Sequence, residues 1–280
     1  MSLSFTIFAR MITMLAGVGS LLTAPAAAAD LFTPDLVGPA ATVDQGRFGY
    51  FSDNLAKWNV VLGAGAMIAP KFEGSKEYKV SPVPFVSASF GDRVVVDPRG
   101  LTVNIYKTHG FSFGVRGGYD LGRKEDDSDH LQGLGDIDAG GVVGGTIAYE
   151  LGAFEIYSSL EKIIGGSDGM EAKLGMDVFQ RLDRFVFRSG VSATWADSKY
   201  METYFGVAPE QSANSGLAVY QAGAGFKRVD LEASVTYMAS ENWMVRGQAA
   251  VGYLLGDAAD SPIVQDKLQP SAMLMVGYRF

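Results

Sequence analysis

From Trp58 onward, apolar residues recur at every second position, in segments of about 10 to 14 residues, as tilted membrane strands require. Trp58, Val60, Leu62, Ala64, Ala66 and Ile68 alternate with Asn59, Gly63, Gly65 and Met67. Phe111, Phe113, Val115, Tyr119 and Leu121 alternate with Ser112, Gly114, Arg116, Gly118 and Asp120. The last stretch, Ser271 to Phe280, puts Ala272, Leu274, Val276, Tyr278 and Phe280 on one side. Its other side carries Ser271, Met273, Met275, Gly277 and Arg279, a smaller and more polar set. Successive side chains of a strand point to opposite faces, so each segment is a ribbon with one apolar and one mixed face. The pattern predicts strands at 58–68, 78–90, 92–98, 100–106, 110–121, 138–151, 153–163, 169–181, 184–196, 223–238, 243–255 and 269–280. Pro82 and Pro84 predict an edge-like or distorted second strand. The parity change between Phe226 and Val229 predicts a bulge near Lys227 and Arg228. Residues 92–106 read either as two short strands or as one kinked strand. Two strands bring the total to twelve, within a range of 10–12. They also put the long connections 69–77, 122–137, 197–222 and 256–268 on one side of the sheet.

The mixed face holds charges, glycines and small residues, and the apolar face ends in aromatics. That combination fits a transmembrane antiparallel β-barrel with lipid outside, a polar lumen inside and aromatic girdles at both interfaces. After Asp30 no run of 18 apolar residues exists, so a membrane reading requires strands closed into a barrel, where every backbone group finds a partner. The first 29 residues differ. Arg10 is their only charge, Met11 to Leu22 is an apolar run, and Ala26 to Ala29 precede Asp30. This is the layout of a cleaved signal peptide, with an apolar run too short to span a bilayer. Residues 30–57, with Pro34 and Pro39, read as a periplasmic lead-in, and 58–280 as the barrel. The expected location is the cell outer membrane. The expected partners are its lipid and lipopolysaccharide, and the barrel-assembly machinery acting on the C-terminal strand through Tyr278 and Phe280.

Charge and composition narrow the function. The formal net charge is −8, and losing Arg10 makes it more negative; an acidic chain has no electrostatic case for nucleic acid. There is no cysteine, which excludes a disulfide framework and thiolate metal sites. No cofactor is implied. Only His109 and His130 are available as histidine bases. His130, with Ser128 and the acids Asp126, Asp127, Asp129 and Asp136, could activate water in an outer loop. The same acids, or Asp257 and Asp260, could take a divalent cation. A solvated acidic loop explains both clusters more simply. The inward positions include Arg116, Asp120, Glu150, Glu155, Glu161, Glu171, Lys173, Asp177, Arg188, Glu232 and Arg246. In a twelve-stranded barrel, mixed charge points to a narrow pore or a lumen closed by ion pairs.

Three loops carry sequence that a barrel does not demand. They are Leu131 to Asp138; Ser198-Lys199-Tyr200 with Tyr204-Phe205-Gly206-Val207; and Gly256-Asp257-Ala258-Ala259-Asp260-Ser261-Pro262-Ile263-Val264. With Pro70, Gly74, Ser75 and the terminal Tyr278-Arg279-Phe280, they resemble the MipA/OmpV family over essentially the whole mature chain. That resemblance implies an outer-membrane barrel with no catalytic residue. It further implies a scaffold role for murein-hydrolysing and murein-synthesising enzymes. Tyr200, Tyr204, Phe205, Gly206, Asp257, Asp260, Ser261 and Pro262 are then candidate interaction residues. A narrow porin-like channel is the alternative, and an outer-loop hydrolase using His130 a third reading.

Overall fold

The computed structural model describes residues 58–91 and 93–280. The signal peptide and the lead-in at 30–57 lie outside the described residues. Twelve strands form one closed antiparallel barrel, each hydrogen-bonded to its neighbours in sequence, with the last returning to the first. They are β1 (Trp58–Pro70), β2 (Tyr78–Phe90), β3 (Val94–Asp97), β4 (Gly100–Thr108), β5 (Phe111–Asp120) and β6 (Gly140–Leu151). The second half comprises β7 (Phe154–Ile164), β8 (Met170–Leu182), β9 (Phe185–Ala196), β10 (Gly225–Met238), β11 (Trp243–Leu254) and β12 (Leu268–Arg279). Residues 94–108 are therefore a hairpin, with Val94 opposite Val103 and Asp97 opposite Gly100, not one kinked strand. No helix among the described residues is long and apolar enough to cross a membrane.

Local alternation decides which face meets lipid. On β12, Leu274 is 60% exposed while its neighbours Met273 and Met275 are 4% and 2% exposed. The expected bulge occurs: the pairing of β10 with β9 shifts between Phe226 and Arg228. The extra residue turns two consecutive charged side chains, Lys227 and Arg228, to the inside, where both are buried. A second bulge, between Asn104 and Tyr106, has no counterpart in the sequence reading.

Closure is made by β1 and β12, with Leu62 opposite Tyr278 and with Phe280 N–H donating to Val60 C=O at 2.9 Å. Around that end the short turns bring aromatics together. Tyr278 packs edge-on against Trp243 and Phe280, with centroids 5.0 and 4.8 Å away, and Phe185 lies 4.9 Å from Tyr237. Short turns and an aromatic girdle mark this as the periplasmic rim.

The other rim carries the long connections, and here the structure adds elements that alternation did not predict. Helices α1 (Ser198–Phe205) and α2 (Pro209–Ser215) lie between β9 and β10, and α3 (Gly256–Asp260) between β11 and β12. Their signals are local. Asp197 caps α1 by accepting from Tyr200 N–H at 2.9 Å. Pro209 opens α2, and Gly216, in a left-handed conformation, ends it. Two 3-10 turns, η1 (Glu125–Asp127) and η2 (Asp129–Leu131), shape the β5–β6 loop.

Candidate functional site in the lid and lumen

The outer loops fold into a lid with its own apolar interior. One cluster joins Ile137, Ile163 and Ala196 to Tyr200, Met201, Tyr204, Phe205 and Ala258; a second joins Phe72, Leu131, Leu134, Val207 and Ile263. Apart from Ile163 on β7 and Ala196 on β9, the residues come from four connections far apart in sequence, so the loops bury apolar surface against one another and against the upper edge of the barrel. Tyr200 and Tyr204, one helical turn apart on α1, stack with centroids 4.5 Å apart. Gly169 makes this approach possible: a Cβ there would stand 2.5 Å from the Cβ of Tyr200. The β1–β2 loop is locked at Gly74, whose φ of +97° suits glycine. Its N–H donates to Gln269 Oε1 at 3.0 Å and its carbonyl accepts from Gln265 and Asp266.

Arg123 ties the lid to the barrel, donating to the Tyr204 carbonyl at 2.8 Å while almost wholly buried. Desolvation lowers its pKa to about 10, still far above neutrality, so the guanidinium stays charged. Tyr204 in turn donates to the Asp120 carboxylate at 3.0 Å. A polar recess of about 240 Å³ lies beside this contact, lined by residues including Arg123, Asp136, Glu202 and Gln211.

Beneath the lid, ion pairs line the lumen. Lys227 lies 3.1 Å from Glu73 and 2.8 Å from Glu171, donates to the Tyr200 hydroxyl at 2.8 Å and sits 4.2 Å from that ring's centroid. Arg228 pairs with Asp230 at 2.6 Å and with Glu73 at 3.6 Å. Lower down, Arg188 on β9 bridges Asp177 on β8 at 2.8 Å and Glu232 on β10 at 2.9 Å. Arg116 meets Glu161 at 3.2 Å. The opposite inner wall differs. On β12, β1 and β2 it is apolar, built from Met67, Ala69, Phe85, Met273 and Met275 with Val61 and Val83 packed against them. A polar lumen was the expectation from the sequence, with Met67, Met273 and Met275 on its mixed face; their meeting with Phe85 in one apolar patch depends on β12, β1 and β2 being neighbours.

Residues 62–280 match the family model of MltA-interacting protein MipA. The chain belongs to that family. No match is found among curated proteins. Solved structures similar to it include OmpT of Vibrio cholerae (9% identity, TM-score 0.36, covering 80% of this chain and 97% of that one). The KdgM porin is similar at 8% identity and TM-score 0.40, covering 79% and 99%. OprD of Pseudomonas aeruginosa is similar at 12% identity and TM-score 0.35, covering 80% and 60%.

In this MipA-family chain, the loop residues singled out from sequence do come together, inside the lid. Tyr200, Tyr204, Phe205 and Gly206 are buried. Ser261 is buried too, its hydroxyl donating to the Phe205 carbonyl at 2.6 Å. The Pro262 carbonyl lies 3.3 Å from His130 Nε2, and the His130 ring stacks on Phe72. Asp257 and Asp260 stay exposed; Asp257 accepts from Gly223 N–H at 2.7 Å and Asp260 pairs with Lys267 at 3.0 Å. Ser128 Oγ meets Glu77 and the backbone N–H of His130, not its ring. The loop acids hold their own loop together. Asp126 accepts from Gln132, and Asp127 from Lys124 N–H. No group of three possible metal ligands converges among the described residues. Glu73, Lys227, Arg228 and Asp230 were missed as members of the lumen network. The consecutive Lys-Arg within a strand was the available signal, since both can face inward only across a bulge.

Asp136 gives a pH prediction. The Glu125 N–H and the Lys124 ammonium hold its carboxyl below the ordinary 3.8. A lowered pKa stabilises the loop above the unfolded value and is lost as pH falls through the folded one. The 121–139 loop should therefore resist an acid protease down to about pH 4 and become cleavable only below it. Cleavage already at about pH 5, where such a protease works and Asp136 is still ionised, would contradict this.

Proposed function

We propose that this chain is a closed outer-membrane barrel serving as a docking scaffold for murein enzymes, not a diffusion pore. The observation that carries the reading is the covered outer mouth: an apolar lid held down by Lys227 with Glu73 of the β1–β2 loop and Glu171 of β8, above an inner wall whose charges are paired at Arg188–Asp177–Glu232. A pore would need the lid to unpack and several buried charges to lose their partners. The matched family takes its description from an interaction with MltA, and the family resemblance connects that interaction with murein turnover.

Murein enzymes act on the periplasmic side. The motif residues Tyr200, Tyr204, Phe205, Ser261 and Pro262 are at the opposite rim, so they serve the scaffold by sealing the lid. Contact with an enzyme falls to the periplasmic turns and to residues 30–57. Refolded full-length protein in a planar bilayer is expected to show no steady conductance. It is expected to retain a murein lytic transglycosylase in a pull-down from detergent. Steady ion-conducting steps would favour the narrow channel; failure to retain any murein hydrolase or synthase would remove the scaffold.

A further inference from the structure

The barrel wall contains a window. β2 has thirteen residues and its neighbour β3 only four. Only Ala88, Ser89 and Phe90 of β2 pair with β3, so among the described residues 78–87 have no strand on that side. The sill is the β3–β4 turn, fastened to β5 by Tyr119 Oη donating to the Pro98 carbonyl at 2.5 Å and Arg116 Nη2 to the Arg99 carbonyl at 3.3 Å. The lintel is the β5–β6 loop, joined to the β1–β2 loop through Ser128 and Glu77 and through the stacked rings of His130 and Phe72.

The edge of the window is chemically prepared. Phe280 N–H donates to Val60 C=O, so even-numbered residues of β1 direct their backbone groups to β12. Ala64 and Ala66 are thus paired with Pro84 and Pro82 without hydrogen bonds between them. The nitrogens of both prolines therefore face the window. They remove two donors from an edge that would otherwise recruit a strand, which disfavours a second copy adding to it.

Hydrocarbon stands on the outside. The outward rows at this height are Ile68 with Val80, Ala66 with Pro82, Ala64 with Pro84 and Leu62 with Val86; Val80 is 66% exposed. Behind the edge lies the apolar stretch of inner wall: Val83 and Phe85 on β2, then Met67, Met273 and Met275. In the row of Met67 and Met273, Ser81 Oγ and Gln248 Oε1 are buried and make no hydrogen bond within the described residues, and neither does Ser271 Oγ one row higher. An apolar wall continuous with the lipid belt, with neutral polar atoms awaiting partners in its upper rows, matches an acyl chain ending in an ester or amide.

We propose that the window admits an acyl chain of an outer-leaflet lipid, which lies against the half-buried Val83 and reaches Phe85 at the edge strand. The Ser81 hydroxyl, on the same strand, donates to its linkage carbonyl. The proposal does not depend on the scaffold reading. To test it, a single Trp is placed in a background with Trp58, Trp195 and Trp243 replaced by Phe. The positions are Phe85→Trp at the window, Leu101→Trp facing lipid, and Tyr157→Trp on the inner face of β7, where the wall is intact. Met273→Trp stands in if Phe85→Trp does not refold, as judged by heat-modified migration. In vesicles of phosphatidylcholine with brominated acyl chains, the window Trp is expected to lose most of its emission, as the lipid-facing Trp does. The Tyr157→Trp protein should keep its emission. A window Trp that behaves like the one at position 157 would overturn the proposal, whether the protein is then monomeric or paired through this face. Quenching by added brominated fatty acid but not by brominated phospholipid would overturn the assignment to a bilayer lipid.

Discussion

Replacing Arg188 by Ala destabilises the barrel by about 3–5 kcal/mol, the usual consequence of removing one partner from a buried ion pair. Arg188 is 5% exposed and holds Asp177 and Glu232 on either side of it. Without it, Asp177 and Glu232, which flank β9 on the same inner wall, both lose their guanidinium partner in a low-dielectric setting. Charge geometry, not bulk, decides the effect, so Arg188→Lys should fall between the parent and the alanine variant; an ammonium cannot reproduce the two-pronged contact. The triple change Arg188→Met, Asp177→Asn and Glu232→Gln should recover most of the loss, because it removes all three buried charges together. Urea unfolding of vesicle-refolded protein, followed by tryptophan emission, measures all three. An alanine variant as stable as its parent would show that the lumen network contributes nothing to stability.

Truncating Tyr200 to Ala is expected to cost about 3–5 kcal/mol, as for other large-to-small changes at fully buried aromatics. The loss should be local. Tyr200 is 0% exposed, stacks on Tyr204, receives the Lys227 ammonium on its hydroxyl and ring, and packs against Gly169. The contacts with Lys227 and Gly169 join the lid to the barrel, the stack on Tyr204 stiffens α1 itself, and none belongs to the strand ladder. The variant should migrate as a folded barrel on unboiled gels, yet be cleaved by protease in residues 197–224, where the parent resists. It should also conduct intermittently in planar bilayers as the lid loosens. A protease-resistant lid in the variant would mean that Tyr200 is not what fastens it.

Particular residues show how far the sequence could be read. The inward set Arg116, Asp177, Arg188 and Glu232 followed from parity alone, because the backbone of a strand turns its side chains over at each step. The bulge at Lys227 followed from the same counting. The partners did not. Glu73 sits in a loop more than a hundred residues before Lys227, and nothing local links them. Tyr200, Tyr204, Phe205, Ser261 and Pro262 stood out as motifs, but a motif does not carry its surroundings. The burial of the first four in a shared lid, with Pro262 half-buried beside them, depends on four loops meeting, and that meeting is a property of the closed barrel.

By itself, the sequence determined where most strands run, the face most of them turn to lipid, and a closed barrel of 10–12 strands ending at Tyr278 and Phe280. Each of these follows from a two-residue period fixed by local geometry. Only the tertiary structure decided that β3 stops short beside a long β2, that β12, β1 and β2 share an apolar inner wall, and that the loops interlock above it. Those features depend on which strands become neighbours and at what height, and register and closure between distant segments set both.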